Sequence, residues 1–417
     1  MSISLPILSI DLQLEIFSYL PCKTIVRFMV LSHLHRSLLI SPYFISRHHN
    51  KSCNKSFVFL SSSITSLYKD DDHLTLFQNL MFPFVHRNFG NIVIGICNGI
   101  ICMQTNRDIL FINPMIRYCF DLPLHDDDDE FIYSYGFISR GLFDYLVVKI
   151  NSEANYCYYD SDGGEFHTYI SPSRNAWVYT YVEDDWRHLE IPDCSVCTTT
   201  TSIGCNGVVY NGLLHWGAKK WVEDRWYYFI LTFDPQSEVF GEILLADSFQ
   251  ALYHPVNDKN GVFVVQNSTK PLTVYSLIFL DEGYRTASVW VMDRYGITES
   301  WNQIFTFNCT NNYISSTLFG FNPDIHMHVG FPPLLLFHRS DGTLLFEVEF
   351  NGQSSLRCLD ISHGTFTILT HNIRRRSKDL YIGYYYPSLV FLTKFLPLDT
   401  SLNYISKSRD TRGKAAD

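Results

Sequence analysis

The chain has 417 residues, of which 46% are hydrophobic and only 18% charged, so it has ample material for a core and is not globally disordered. A net charge of −10 and a pI of about 5.9 argue against the basic stripe with which nucleic-acid binders neutralise phosphates, and suit a basic protein partner instead. Aromatic residues reach 16%, with 32 Phe and 26 Tyr, which favour half-buried pleated surfaces and point to β structure.

At the start of the chain no basic n-region precedes Asp11 and Glu15, so no signal peptide is expected. No run of roughly 18 apolar residues predicts a membrane span. The 11 cysteines are odd in number and irregularly spaced, and read as reduced thiols of the cytoplasm or the nucleus. The Asn-x-Ser/Thr triplets at Asn54, Asn267 and Asn308 are then chance matches.

Residues 5–50 read as helical. Asp11, Glu15 and Ser18 form a polar stripe. Ile10, Leu14 and Phe17 make one apolar face, and Leu12, Ile16 and Leu20 a second. Ile10, Leu12, Leu14 and Ile16 also alternate as in a strand, but Asp11, Gln13 and Glu15 are poor strand formers. Pro21 ends the first helix. Thr24 and Ser32 are the expected N-caps of two more short helices. Leu31, Leu34 and Leu38 share a face of the third, which Ser41-Pro42 stops. A module of about forty residues cannot bury both sides of its first helix. The second side meets a partner or packs on the rest of the chain.

From Phe57 onward, short apolar and aromatic runs alternate with turn residues. Strands are expected at Phe57–Leu60, Ile92–Ile96, Tyr145–Ile150, Trp177–Tyr181, Tyr227–Phe233, Val274–Leu280, Ser288–Met292 and Leu344–Phe350. Asn98-Gly99, Asn211-Gly212 and Asp341-Gly342 are hairpin signals. Leu74–Leu80 is expected as a short helix. A loose repeat joins a strand, a turn near Asp or Asn, and a second strand with an aromatic then an aliphatic residue. Its copies are Phe111–Pro114 with Tyr118, Phe120 and Leu122; Thr232–Pro235 with Phe240 and Ile243; Trp290–Asp293 with Trp301 and Ile304; and Cys358–Asp360 with Phe366 and Ile368. Val178–Tyr181 with Trp186 and Leu189 is a fifth. A period of roughly 62 residues predicts a β-propeller of about six blades, with a twisted sandwich as the alternative.

The run Leu8–Ile16, followed by Tyr19–Phe28 and Ser37–Phe44, resembles a plant F-box. Downstream, Cys97–Cys102, Asn113-Pro114 with Arg117, Asp144-Tyr145 with Val147-Val148, Asn211–Trp216, Phe233-Asp234 and Val289–Met292 with Tyr295-Gly296 and Glu299–Trp301 resemble the F-box-associated interaction domain. The layout is also similar to the S-locus F-box proteins of plant self-incompatibility, and these motifs do not separate that group from the wider family. The resemblance implies a mainly β chain. An α-helical F-box would span 1–50, a connector with the first strands 51–90, a kelch- or propeller-like substrate-binding domain 91–400 and a polar tail 401–417. It further implies a non-catalytic substrate-recognition subunit of an SCF-type cullin–RING ubiquitin ligase, without a cofactor. The F-box would dock a Skp-family adaptor through Leu8, Leu12, Ile16, Leu20, Pro21, Ile25, Val26, Phe28, Val30 and His35. The target would be a protein, in the S-locus case a basic ribonuclease. Ser9 stands where the family usually has Pro, Met29 where it has Arg, and His35 where it has Trp.

Other chemistry is thinly marked. Cys194 and Cys197 form one CxxC near Cys205, His188 and His215, a weak zinc signal better read as buried thiols. His326-Met327-His328 lacks a third ligand. Asp126–Asp129 with Glu130 lacks the spaced ligands of a calcium loop, so a solvated acidic loop is expected. Arg374–Arg376 with Lys378 reads as a surface loop or a nuclear signal. No P-loop, G-x-S-x-G or H-E-x-x-H is present. Asp144, Asp234, Asp293 and Asp360 are expected at turns. A stand-alone propeller binding module and a propeller hydrolase or oxidase are the competing functions. Target recognition is expected on the polar stretches 124–140, 151–175 and 251–272.

Overall fold

The computed structural model describes residues 8–30, 32–52, 57–61, 65–71, 74–80, 92–105, 108–123, 132–152, 156–158, 167–169, 175–191, 197–198, 206–223, 225–251, 261–267, 271–279, 285–310, 313–315, 334–339, 341–350, 353–360, 365–373 and 381–391. Four helices come first: α1 (Ile10–Phe17), α2 (Cys22–Phe28), α3 (His33–Leu39) and α4 (Pro42–Ser52). Ser9 is the N-cap of α1, its Oγ accepting from the Leu12 N–H at 3.4 Å. α1 ends at Phe17, and Pro21 caps the start of α2, so Thr24 lies inside that helix rather than before it. Ser32 is the N-cap residue of α3, as expected. Pro42 opens a helix the sequence reading missed. It is the first residue of α4, where a missing N–H costs nothing, and the Ser41 hydroxyl accepts from the Phe44 N–H at 3.2 Å.

The β domain is a six-bladed propeller. Its first three strands are β1 (Phe57–Ser61), β2 (Thr65–Lys69) and β3 (Leu76–Leu80). The helix expected at Leu74–Leu80 is therefore corrected to a strand, because pairing with β2 from Thr65↔Leu80 to Tyr68↔Leu76 overrides local propensity. The next blade is β4 (Ile92–Cys97), β5 (Ile100–Gln104), β6 (Ile109–Asn113) and β7 (Tyr118–Asp121). Then come β8 (Ile132–Ser139) and β9 (Tyr145–Ser152), a small hairpin of β10 (Tyr156–Tyr158) and β11 (His167–Tyr169), and the outer strands β12 (Asn175–Thr180) and β13 (Asp185–Glu190). The third blade has β14 (Cys197–Thr198) and β15 (Val208–Tyr210) on β16 (Leu213–Val222), followed by β17 (Arg225–Asp234) and β18 (Val239–Leu244). A short helix α5 (Asp247–Gln250) follows. The fourth has β19 (Gly261–Asn267), β20 (Thr273–Phe279), β21 (Arg285–Met292), β22 (Trp301–Thr310) and β23 (Tyr313–Ser315). The fifth has β24 (Leu334–His338), β25 (Leu344–Phe350), β26 (Gln353–Asp360) and β27 (Thr365–Ile373).

The last strand, β28 (Tyr381–Tyr385), returns to the beginning. It pairs antiparallel with β1 from Phe57↔Tyr385 to Ser61↔Tyr381, so both ends of the chain build one sheet, β28-β1-β2-β3. Hydrogen bonds thus close the ring and leave no long free edge between first and last blade. The five sequence repeats are the outer hairpins β6-β7, β12-β13, β17-β18, β21-β22 and β26-β27. The sixth blade had no sequence copy because distant segments assemble it. Its strands β1–β3 fall in the stretch 51–90, which was expected to hold a connector and the first strands.

Neighbouring blades are stapled by polar side chains. Trp216 Nε1 donates to the Tyr135 carbonyl at 3.1 Å, and Trp301 Nε1 to the Leu244 carbonyl at 3.0 Å. Arg339, itself buried, pairs with Asp70 at 2.7 Å, and the Tyr384 hydroxyl bonds the same carboxylate at 2.9 Å. Glu238 accepts from Arg187 at 2.7 Å and Arg140 at 3.1 Å, and the Arg187 guanidinium holds its carboxyl below the ordinary range. His215 Nε2 meets the Tyr295 hydroxyl at 2.7 Å. Burial pulls the His215 pKa down from 6.5 to about 4.

The two ends of the propeller differ. The turns β4-β5 and β6-β7 lie at the end where β28 finishes. There an added Cβ on Gly99 would meet the Tyr386 carbonyl at 2.3 Å, and Asn113 Nδ2 donates to the Ser388 and Val390 carbonyls at 3.1 and 2.8 Å. The helices also enter at this end, since α4 leads into β1 beside Tyr385. The connections between blades leave from the opposite end. Residues 124–131, most of 151–174 and 252–260 lie outside the described residues, whereas 132–139 and 261–267, assigned to the same polar stretches, are the strands β8 and β19.

His215 is kept neutral in the fold and takes up a proton more readily when unfolded. Its contribution is complete above about pH 6.5 and declines as pH falls towards about 4. Thermal melts from pH 7.5 to 4.5 should therefore show a smaller acid loss for His215→Gln than for the parent chain. Parallel curves would remove His215 from the acid response.

Candidate docking face of the helical module

The four helices do not stand off from the propeller. Leu14, Cys22, Ile25, Met29, Leu39, Phe44 and Ile45 belong to one apolar cluster with Ile100 and Phe111 of the β4–β7 blade, Tyr145 and Tyr179 of the next, and Leu389–Phe391 after β28. Burial pushes the Cys22 thiol up to about 12, as expected of a core group. Polar contacts reinforce the packing. Lys23 Nζ donates to Gln78 Oε1 at 3.0 Å on β3. Within the module, Glu15 on α1 pairs with Arg47 and Lys51 on α4, and Lys51 lies 3.6 Å above the Tyr19 ring. His48 is buried, bonds the Leu20 carbonyl at 2.9 Å, and is held below its ordinary pKa by desolvation.

Packing one side of α1 leaves the other open. Leu8, Leu12 and Ile16 are 51%, 53% and 49% exposed, and Val30 after α2 is 87% exposed. Tyr19, Leu34 and Tyr43 are also exposed. A row of large apolar side chains in water on one small module is the kind of surface that marks a partner site. The other residues expected to dock a partner are placed less uniformly. Pro21 is exposed. Leu20, Val26 and Phe28 are half-buried against the shared cluster. Ile25 is fully buried in it and reaches no partner from the closed module. Its inward turn follows from α2 geometry, since Cys22, Ile25 and Met29 recur at helical spacing on one face.

The three departures from the F-box pattern each find a local role. Ser9 caps α1. Met29 is buried and fills the shared core, where an Arg would need a partner. His35, half-buried, sets its ring edge-on to Phe17 at 5.7 Å and bonds Gln13 Oε1 at 2.8 Å. Gln13 Nε2 in turn donates to the Leu8 carbonyl at 2.7 Å and ties down the start of the helix. Sequence reasoning missed this relay, because Gln13 and His35 are 22 residues apart. It also missed the Asn113 clamp, although Asn113-Pro114 stood among the motifs quoted.

The four repeated acids do not converge. Asp144 accepts from Arg140 at 2.7 Å, Asp234 from Gln236 N–H and Ser237, and Asp293 from Asn302 at 2.7 Å, while Asp360 sits in the β26-β27 register opposite Thr365. The turn reading holds for the first three. His188 bonds Asn175 at 3.1 Å. Cys197 lies in β14, and Cys194, Cys205, His326–His328, Asp126–Glu130, Arg374–Lys378 and 401–417 lie outside the described residues. Among the described residues no three His, Cys, Asp or Glu side chains gather to hold a metal, and no helix is long and apolar enough to cross a membrane.

A helical module with an open apolar face, mounted on a ring closed by its own last strand, has a counterpart among known families. Residues 53–391 match the F-box associated beta propeller domain. The chain belongs to that family. Three Arabidopsis thaliana proteins are similar to it. An F-box protein is 25% identical over 312 residues, spanning 71% of this chain and 70% of that protein. The F-box protein CPR1 is 24% identical over 316 residues, with 71% and 72% covered. An F-box/kelch-repeat protein is 22% identical over 339 residues, with 74% and 81% covered. The N-terminal helices fit the F-box that the sequence resembles, and the propeller fits the F-box-associated domain.

Exposure separates docking from folding residues. Replacing Leu12 and Ile16 by Asp should change unfolding free energy by no more than ~1 kcal/mol, whereas Ile25→Ala should cost ~2–5 kcal/mol. Chemical denaturation with one protocol for both variants checks this. A large loss in the Leu12/Ile16 variant would mean that those side chains are needed by the fold.

Proposed function

We propose that this F-box-associated propeller is the substrate-recognition subunit of an SCF-type ubiquitin ligase. The module docks a Skp-family adaptor carried on a cullin scaffold, and the propeller captures a protein for ubiquitination and degradation. The observation that carries this reading is the exposed row Leu8, Leu12 and Ile16 on a helix whose opposite side packs through Leu14 and Phe17 into the chain's own core. Each such side chain, seated in a partner's pocket, would contribute ~1–3 kcal/mol. The chain itself performs no bond chemistry in this scheme. It raises the local concentration of target lysines beside the conjugating machinery, which is catalysis by proximity.

The orientation of the blades favours a target site at the end away from the helices. The long connections between blades leave from there, and loops on a rigid scaffold are where recognition usually resides. The excess of acidic residues suits a basic target, of which an S-ribonuclease is one example. The reading of a stand-alone module with a degenerate F-box draws on Ser9, Met29 and His35. Each of them has a structural role here, and none of them lies in the exposed row.

The test is association of the full chain with a purified plant Skp-family adaptor, measured by calorimetry at micromolar protein. The parent chain should bind, and Leu12→Asp with Ile16→Asp should weaken binding at least tenfold. Absence of binding by a folded parent chain would overturn the adaptor role and favour the stand-alone module.

A further inference from the structure

The helical module differs in charge from the rest of the chain. Residues 8–52 carry five cations, Lys23, Arg27, Arg36, Arg47 and Lys51, against the carboxylates Asp11 and Glu15, a net positive segment in a chain of −10. Two of the five, Arg47 and Lys51, share the single carboxylate of Glu15. Lys23 bonds the neutral Gln78. Arg27 and Arg36 have no carboxylate partner among the described residues. Arg27 is exposed and Arg36 half-exposed.

Their placement gives these charges a meaning. Along α2 the inward residues are Cys22, Ile25 and Met29, so Lys23, Arg27 and Val30 follow one another on the outward side. The chain then turns into α3, where His33 and Leu34 are exposed. The outward side of α2 and the start of α3 therefore offers Val30 and Leu34 beside Lys23 and Arg27, with Arg36 farther along α3. Solvation alone accounts for a single exposed Arg. It does not account for the contrast, within one module, between cations locked onto Glu15 and cations left open beside the two most exposed aliphatic residues of α2–α3.

We infer that the partner groove receiving this module has an acidic rim, and that Arg27 and Arg36 meet its carboxylates while the apolar row fills its floor. This rests on the adaptor reading above and adds to it the chemistry of the partner's surface. Charge at a rim acts mainly on the rate of encounter and on choice of partner. Exposed pairs add little to affinity individually and are screened by salt.

The experiment is surface-immobilised Skp-family adaptor with full-length chain in solution, at 50 and 500 mM NaCl. Four proteins are compared: the parent; Arg27→Glu with Arg36→Glu; Leu12→Asp with Ile16→Asp; and Arg225→Glu with Arg294→Glu. The last pair changes net charge equally at exposed residues on the propeller. The parent's association rate should fall about tenfold between the two salts. Arg27→Glu with Arg36→Glu should lower the low-salt association rate at least tenfold and flatten that dependence, and the Arg225/Arg294 variant should track the parent. If Leu12→Asp with Ile16→Asp abolishes binding while the Arg27/Arg36 variant associates like the parent at both salts, the acidic rim is wrong and the adaptor reading stands. If the folded parent does not bind at all, the adaptor reading fails and the rim falls with it.

Discussion

Six residues after the last strand hold the two halves of this molecule together. The segment 386–391 follows β28 and crosses the end of the ring. The buried Asn113 amide grips it through the carbonyls of Ser388 and Val390, while Gly99, at a φ of 77°, leaves room for Tyr386. Leu389, Val390 and Phe391 then enter the same apolar cluster as Leu14, Ile25 and Phe44 of the helices. The helices at the chain's beginning are thus seated on residues from its end. A module this short lacks the buried area to be stable alone. It gains the missing area once the ring has closed.

Several residues that carry the family likeness hold the strap or join neighbouring blades. Asn113 clamps the strap, His215 reaches Tyr295, Trp216 reaches the Tyr135 carbonyl across blades, and Trp301 reaches the Leu244 carbonyl. Ser300 Oγ accepts from the Arg294 N–H at 3.1 Å and shapes the turn that presents Tyr295. Buried indole and imidazole groups favour hydrogen-bond partners, and Trp216, Trp301 and His215 find theirs on the neighbouring blade. The shared motifs therefore record how blades adhere, and the propeller's face for its target must be written elsewhere.

The legible and the illegible parts divide by sequence distance. The Asn98-Gly99 and Asn211-Gly212 turns adopt left-handed φ values of 50° and 77°, and 49° and 77°, so each hairpin was readable from two residues. The repeat exposed five outer hairpins because each is contiguous. The sixth blade had no repeat copy, since β28 and β1 lie more than 300 residues apart, and β3 was mistaken for a helix because pairing with β2 overrides its local propensity. At the docking face, the open side of α1 could be read from periodicity. The inward turn of Ile25 and the His35–Gln13 bond could not, because both depend on which face of each helix meets its neighbour.

The helical module packs directly on the ring through the shared apolar cluster, and that packing fixes one against the other. The account stands or falls on whether the strap seats the helices. Amide hydrogen exchange decides it, comparing a chain ending at Phe391 with one ending at Tyr385, which keeps β28 and loses only the strap. If the strap is the seat, amides of α2 and α4 should exchange at least tenfold faster in the shorter chain while the β21-β22 pair stays protected. Equal protection of those helices in both chains would contradict it.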